Sequence, residues 1–285
     1  MDAPVGISSL FSTDAGRVVA MIDSSGSMDL STILTDVPND YFYSAIISGS
    51  DVWAVGGSGG TGYVRHTTLG TQGPSTPIIS PVSGGILAIG IADSDIYVGD
   101  YQSNAFTVGF IEGLPTDEDP MRNVTTLFKQ GFYASAFHVY SSTVIYLCSE
   151  QPNAINKFVY DDTNGWTLSY SVSVTAGIPM GITARDLEGG GVQLFCSTDS
   201  TIWKLTDNGA AFSSLTAIRT VNFAYFRSVI WAPVTATCHD SILNGLESDT
   251  DCGGGFCTLC GDGDACNNDS DCDTTFCDTD VCGKY

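Results

Sequence analysis

Ser50-Asp-Val-Trp53-Ala-Val-Gly-Gly57, SDVWAVGG, recurs in altered spelling as SDIYVGD at 94–100, TVIYLCSE at 143–150 and VQLFCSTD at 192–199. Its aromatic position is taken in turn by Trp53, Tyr97, Tyr146 and Phe195, which lie 44, 49 and 49 residues apart. A short apolar segment precedes each copy (SAIISG, LAIGIAD, SAFHVYS, GITARDL), another follows (YVRHTTL, FTVGFIE, NKFVYDD, TIWKLTD), and often a fourth. β-branched and aromatic runs bounded by Gly, Asp and Ser read as strands and turns. Four strands repeating with a period in the forties of residues predict a β-propeller, one blade per repeat, with about five blades visible.

Composition agrees with an all-β chain. Among 285 residues, 43% are hydrophobic and 11% aromatic, enough to bury a core, and 32 glycines favour tight turns. Only ten residues are Lys or Arg and the formal charge is −22. Phosphate-backbone binding needs basic side chains to displace counterions, so nucleic acid is excluded as a partner class. No run of 18 apolar residues exists to span a membrane, and the opening MDAPVGISSLFSTDAGR has neither the basic nor the apolar region of a signal peptide.

The last 48 residues obey different physics. They hold Cys238, Cys252, Cys257, Cys260, Cys266, Cys272, Cys277 and Cys282, eleven acidic residues against the single Lys284, and few large apolar side chains. A boundary near 235 therefore separates a propeller domain, 1–235, from a stapled module, 236–285. Cys257-Thr-Leu-Cys260 lacks the partner ligands of a zinc site and the βαβ context of a redox pair. Four disulfides, each contributing about 2–4 kcal/mol, are expected to replace the missing core. Eight cysteines allow 105 connectivities, and sequence does not choose among them. The acidic doublets Asp249/Asp251, Asp262/Asp264 and Asp269/Asp271/Asp273 offer oxygen ligands for Ca2+, but no glycine stands at the sixth position from Asp269, so a solvated acidic surface is the favoured reading. Cys148 and Cys196 occupy equivalent places in successive repeats, where they either pair across blades or serve as small buried hydrophobes.

The wording Cys238-His-Asp-Ser-Ile-Leu-Asn244-Gly245-Leu-Glu247-Ser-Asp249-Thr-Asp251-Cys252-Gly253-Gly254 resembles a Cys-rich module of extracellular proteins of the N-G-x-E-T-D-x-D-C-G-G type. The segment from Phe226 to Pro233, together with DAPVG at 2–6, GRVVAMID at 16–23, VWAVGGSGGTGYV at 52–64 and TIWKLTDNG at 201–209, resembles a family of secreted, largely uncharacterised β-propeller proteins ending in F-R-G-V-A-x-A-P. That resemblance implies an extracellular or cell-surface location. It also implies strands upstream of DAPVG, so the preferred expectation is a fragment of a longer precursor from a six- or seven-bladed ring. A short ring of about five blades, or a blade completed by a strand from a neighbouring copy, are the other readings.

Chemistry is sparse. Asp23-Ser-Ser25-Gly-Ser27 spells the Asp-x-Ser-x-Ser start of a von Willebrand A metal site, but Pro38 and the alternating pattern leave no room for the long helix that should follow. The resemblance to the propeller family instead implies RVVAMID as a strand, SSGS as its turn and MDLSTIL as the next strand. Gly56-Gly57-Ser58-Gly59-Gly60 matches a nucleophile elbow in letters only, since it sits between two strands. His66, His138 and His239 stand alone. The sequence thus predicts no catalytic residue, no cofactor and no enzyme, and a structural or adhesive extracellular protein that associates with itself, matrix proteins or glycans. The alternatives are a glycan-binding propeller using Tyr101, Trp166 and Trp203, and a metal-dependent hydrolase or lactonase. Asn123-Val-Thr125 and Asn268-Asp-Ser270 are N-glycosylation sequons.

Overall fold

The computed structural model describes residues 16–22, 27–37, 41–58, 61–79, 82–102, 105–119, 121–187 and 190–220, and, in the tail, 248–250, 252–253, 258–266, 269–278 and 281–283. Two compact units divide the chain: the larger comprises Asp2–Met21 and Met28–Trp231, and the smaller Ala232–Tyr285 together with Met1 and the short segment Ile22–Ser27. The segments 2–6 and 226–233 that carry part of the family resemblance lie outside the described residues, as do Asp23, Ser25, His239 and Asn268.

The larger unit is a five-bladed propeller arrangement, all β among the described residues. The first sheet contains β1 (Arg17–Ile22) and β2 (Met28–Leu34). The second contains β3 (Tyr41–Ser48), β4 (Asp51–Ser58) and β5 (Thr61–Thr68). Short β6 (Gln72–Gly73) leaves this sheet to run parallel beside β2, while β7 (Thr76–Pro77) and β8 (Val82–Ser83) both return to β5. The third blade is β9 (Gly85–Ala92), β10 (Asp95–Gln102), β11 (Ala105–Ile111) and β12 (Thr125–Gln130). The fourth is β13 (Ala134–Ser141), β14 (Val144–Glu150), β15 (Asn153–Asp161) and β16 (Gly165–Ser173). The fifth is β17 (Gly181–Asp186), β18 (Val192–Ser197), β19 (Thr201–Asp207) and β20 (Thr216–Thr220). Strands within blades three to five pair antiparallel in sequence order, and the leading strands β3, β9, β13 and β17 contact one another in succession.

The repeated motif occupies the second strand of each of four blades. Trp53, Tyr97 and Tyr146 are buried opposite Ile46, Gly90 and His138, and Phe195 faces Thr183. A second strand has sheet neighbours on both edges and a blade against each face, so β14 is buried at every interior position. That is why these segments read as nearly continuous apolar runs, whereas outer β20 is exposed throughout.

The core lies between blades, not inside them. Trp53, Val55 and Val64 pack on Ile86, Ile96 and Val98 between the second and third. Phe106 and Phe137 meet between the third and fourth, and Tyr146, Ile155 and Leu194 between the fourth and fifth. Each large apolar side chain so buried contributes about 1.5–3 kcal/mol. Close approach decides residue identity at Gly99, where a Cβ would lie 2.4 Å from Phe106 and 2.9 Å from Phe137.

The smaller unit has little apolar filling besides sulfur. Disulfides join Cys252 to Cys260, Cys266 to Cys277 and Cys272 to Cys282, and these cystines form its core. Cys238 and Cys257 lie outside the described residues. Among its described residues it also has a 3-10 turn, Asp269–Asp271, and the hairpin β21 (Cys277–Asp278) with β22 (Val281–Cys282).

Candidate functional site

Three constellations in the propeller bring chemistry-bearing side chains together, and each joins residues from more than one strand. The most buried is a clasp between the fourth and fifth blades. Asp207, 1% exposed at the end of β19, accepts hydrogen bonds from Tyr146 Oη (2.6 Å), from Tyr170 Oη and from the Gly209 amide (2.7 Å). Lys157 Nζ lies 2.6 Å from its Oδ2 and 5.2 Å from the Tyr170 ring centroid. Burial alone would raise the Asp207 carboxyl, but the contacts from Lys157, Tyr146 and Tyr170 outweigh it and hold the group below the ordinary range. Burial and the same carboxylate raise both phenols. Every polar atom faces a partner, as a buried ion pair requires, so this is a structural clasp.

The second constellation is a concave groove between the third and fourth blades, with a cavity volume of about 260 Å³, lined by Asp95, Tyr97, Phe110, Leu127, Ser142, Tyr160 and Trp166. It is somewhat smaller than the roughly 300–1,000 Å³ of drug-sized ligand sites, a size for one small group such as a single sugar ring. Turn chemistry builds its walls. Asp161 Oδ1 accepts the Thr163 and Asn164 amides at 2.9 and 2.8 Å, and Gly165 at φ +67° closes the turn, setting Tyr160 and Trp166 directly across the hairpin. Their rings are 5.8 Å apart and tilted by 56°. On the facing blade, Asp93 and Ser94 adopt positive φ (49° and 66°) in the tight β9–β10 turn, and Asp93 Oδ2 accepts the Ser142 amide at 3.1 Å. Asp95 Oδ1 is held by the Gly113 amide at 2.7 Å. Its other oxygen has no partner among the described residues. Aromatic faces beside an oriented carboxylate and a serine suit a ligand with both C–H faces and hydroxyls.

The third lies at the other end of the same strands. Tyr41 and Tyr43 stack on one face of β3 with centroids 5.7 Å apart, and Tyr101 at the end of β10 packs at 4.0 Å on Tyr133 just before β13. Burial first, then the neighbouring phenol Tyr41 and, across the blades, Tyr133, raises the Tyr43 hydroxyl; burial, Glu150 and Tyr101 do the same for Tyr133.

The residues singled out from sequence fall as follows. Met28–Leu34 is the expected strand where an A domain would carry its helix; of the Asp23, Ser25 and Ser27 triad, only Ser27 lies among the described residues. Ser58 ends β4 and pairs with Thr61 in an antiparallel hairpin, with no helix to form an elbow. His66 Nε2 is 2.8 Å from Asp51 and its ring packs beside Trp53, while burial pulls the His138 imidazole down to about 4. Tyr101 and Trp166 lie at opposite ends of the blades. Trp203, a candidate for glycan stacking, lies in β19, the strand expected over TIWKLTD, and packs on the core between the last two blades. Cys148 and Cys196 are buried free thiols with sulfurs 3.6 Å apart. Asn123 is exposed ahead of β12.

In the tail, Asp249 accepts the Ala265 and Thr250 amides at 2.7 Å each, Asp264 the Gly261 amide at 2.9 Å and Asp269 the Cys277 amide at 2.8 Å. Asp271, 1% exposed, accepts from Ser248 Oγ at 2.5 Å. These carboxylates anchor turns. Among the described residues the one group of three ligand types close enough for a single ion is Cys266, Cys272 and Cys282, whose sulfurs are already in disulfides.

No protein-family model matches the chain, and no curated protein matches its sequence. Solved structures match its fold. A protein from Lactobacillus plantarum aligns at 12% identity and TM-score 0.52 over 79% of this chain and 70% of that one. A protein from Bacteroides fragilis, provisionally a 6-phosphogluconolactonase, aligns at 13% and 0.48 over 74% and 66%. The periplasmic gluconolactonase of Pseudomonas aeruginosa aligns at 14% and 0.44 over 72% and 66%. Likeness at such identity shows the fold alone. It does correct one expectation: the exclusion of enzymatic activity is withdrawn, because propellers found among these matches include proteins named for lactone chemistry, and the lack of a familiar motif is no ground for excluding it.

Proposed function

We propose that this chain is an extracellular propeller that binds carbohydrate in the groove between its third and fourth blades, as an adhesive component of a cell surface or matrix. The observation that carries the reading is the tilted pair Tyr160 and Trp166 facing Asp95 and Ser142 across a 260 Å³ concavity. Sugar rings present C–H faces that stack on aromatic side chains and hydroxyls that a half-engaged carboxylate recognises. Three disulfides support an oxidising compartment, and an exposed Asn123 sequon supports passage through a glycosylating one. Binding at the groove is compatible with turnover of what it holds.

A glycan array followed by titration calorimetry tests the proposal. Saturable binding to at least one glycan class is expected, weakened about tenfold in Tyr160→Ala, the loss of one aromatic contact worth ~1.4 kcal/mol. Tyr160 is 39% exposed, so this variant keeps the fold, and near-ultraviolet circular dichroism verifies that. An array without saturable binding, or a folded Tyr160→Ala protein with unchanged affinity, overturns it.

A further inference from the structure

The groove leaves the tyrosines at the other end of the blades unexplained. β10 links the two regions: Asp95 and Tyr97 face the groove, and Tyr101 stands six residues from Asp95, about 20 Å along an extended strand. Because β3 and β13 begin, and β10 and β14 end, on this same side, Tyr41, Tyr43, Tyr101, Tyr133 and Glu150 from three blades are gathered at the end where the leading strands start. The Glu150 amide donates to the Tyr133 carbonyl at 2.8 Å, fixing carboxylate and ring to one piece of backbone. Tyr41, Tyr43 and Tyr133 remain 40%, 38% and 36% exposed. Three exposed tyrosine rings, one of them packed on half-buried Tyr101, are a poor surface to leave in water and a good one for a cation, whose charge is attracted to the π-face within about 6 Å. The chain's charge of −22 adds long-range attraction of the same sign.

We propose that this tyrosine cluster is a second binding site, independent of the groove, that takes an alkylammonium group against the rings of Tyr43, Tyr101 and Tyr133 with Glu150 as counter-charge. Charge complementarity distinguishes it from a generic apolar patch: the Glu150 carboxylate, close enough to Tyr133 to raise its hydroxyl, disfavours a neutral or anionic apolar guest and favours a cationic one. The ammonium could arrive on a free small molecule or on a lysine side chain; both present the same chemistry, and choline and n-butylammonium as separate probes distinguish a quaternary from a primary preference.

Titration of the full chain with choline, n-butylammonium and the neutral choline isostere 3,3-dimethylbutan-1-ol provides the test. Saturable binding of at least one ammonium probe, about tenfold tighter than the neutral isostere, is expected. Tyr133→Leu keeps an apolar side chain and removes the π-face, and should weaken that binding about tenfold; Glu150→Gln should weaken it as well and lessen its salt dependence. Tyr160→Ala should leave ammonium binding unchanged, as Tyr133→Leu should leave glycan binding unchanged, so failure at one site is distinguishable from failure at the other. Equal affinity for the neutral isostere, no saturable ammonium binding, or full affinity in both Tyr133→Leu and Glu150→Gln overturns the inference.

Discussion

At Asp207 and Asp100 two carboxylates respond to burial in opposite ways, and the difference is one of partners. Asp207 is surrounded by an ammonium, two phenols and an amide, so its charged form wins in spite of burial. Asp100 has one buried oxygen without a hydrogen-bond partner, and burial pushes its carboxyl up to about 6, against smaller opposing effects of Lys129 and the Tyr101 amide. Removing the cation by Lys157→Met leaves Asp207 charged and buried, and should cost about 3–5 kcal/mol in urea unfolding at pH 7. A loss below ~1 kcal/mol would show that the two tyrosines suffice. Asp100 carries the other sign. Its folded pKa exceeds the unfolded value of 3.8, so it costs nothing below pH 4, and the cost grows as pH rises through 6. Asp100→Asn should therefore stabilise the protein at pH 7 by about 1 kcal/mol, a figure reduced for its partial solvent access, and leave it unchanged near pH 3.5. An equal effect at both pH values would rule out ionisation as the cause.

At the scale of elements, the second strand of each blade is the repeating unit of stability, but its four copies are not equal. Trp53 is 1% exposed and its Nε1 donates to the Pro115 carbonyl at 2.7 Å, whereas Phe195 is only partly buried in the last described blade. Trp53→Ala should cost about 3–5 kcal/mol and Phe195→Ala clearly less, by thermal or urea unfolding. Equal losses would mean that position in the repeat, and not local burial, sets the cost. These strands were legible in the sequence because burial on both faces writes an unbroken apolar run bracketed by turn residues. The strand Met28–Leu34 was anticipated too, through the resemblance to the propeller family. The sites were not. The groove needs Asp95 and Trp166, and the clasp Tyr146 and Asp207, residues more than 60 positions apart that meet only when blades pack. Tyr101 and Trp166 were noticed as aromatics, but nothing local to either says that they lie at opposite ends of the blades. Trp203 shows the converse: its strand TIWKLTD was legible, but not that the neighbouring blade covers the ring and removes it from the candidates for ligand stacking.

The whole molecule combines two ways of resisting unfolding, apolar surface shared between blades and sulfur bridges in a tail with little else to bury. The three described bridges close short loops of 8 to 11 residues, where restricting the unfolded chain contributes about 2–4 kcal/mol each. The propeller contains no disulfide among its described residues; its two thiols, Cys148 and Cys196, are buried, and burial drives the Cys148 thiol pKa upward, which lowers its reactivity. Mild reduction should therefore separate the units. In hydrogen exchange followed by mass spectrometry, a phosphine reductant should abolish amide protection in the described hairpin β21–β22 and the turns around it while leaving strands β9 to β19 protected, since none of those strands relies on sulfur. Glycan binding at the groove should survive the same treatment, because every residue lining it belongs to the third and fourth blades. Loss of protection in β14 or β18 on reduction would mean instead that the tail braces the ring, and the module would then be part of the propeller's folding unit.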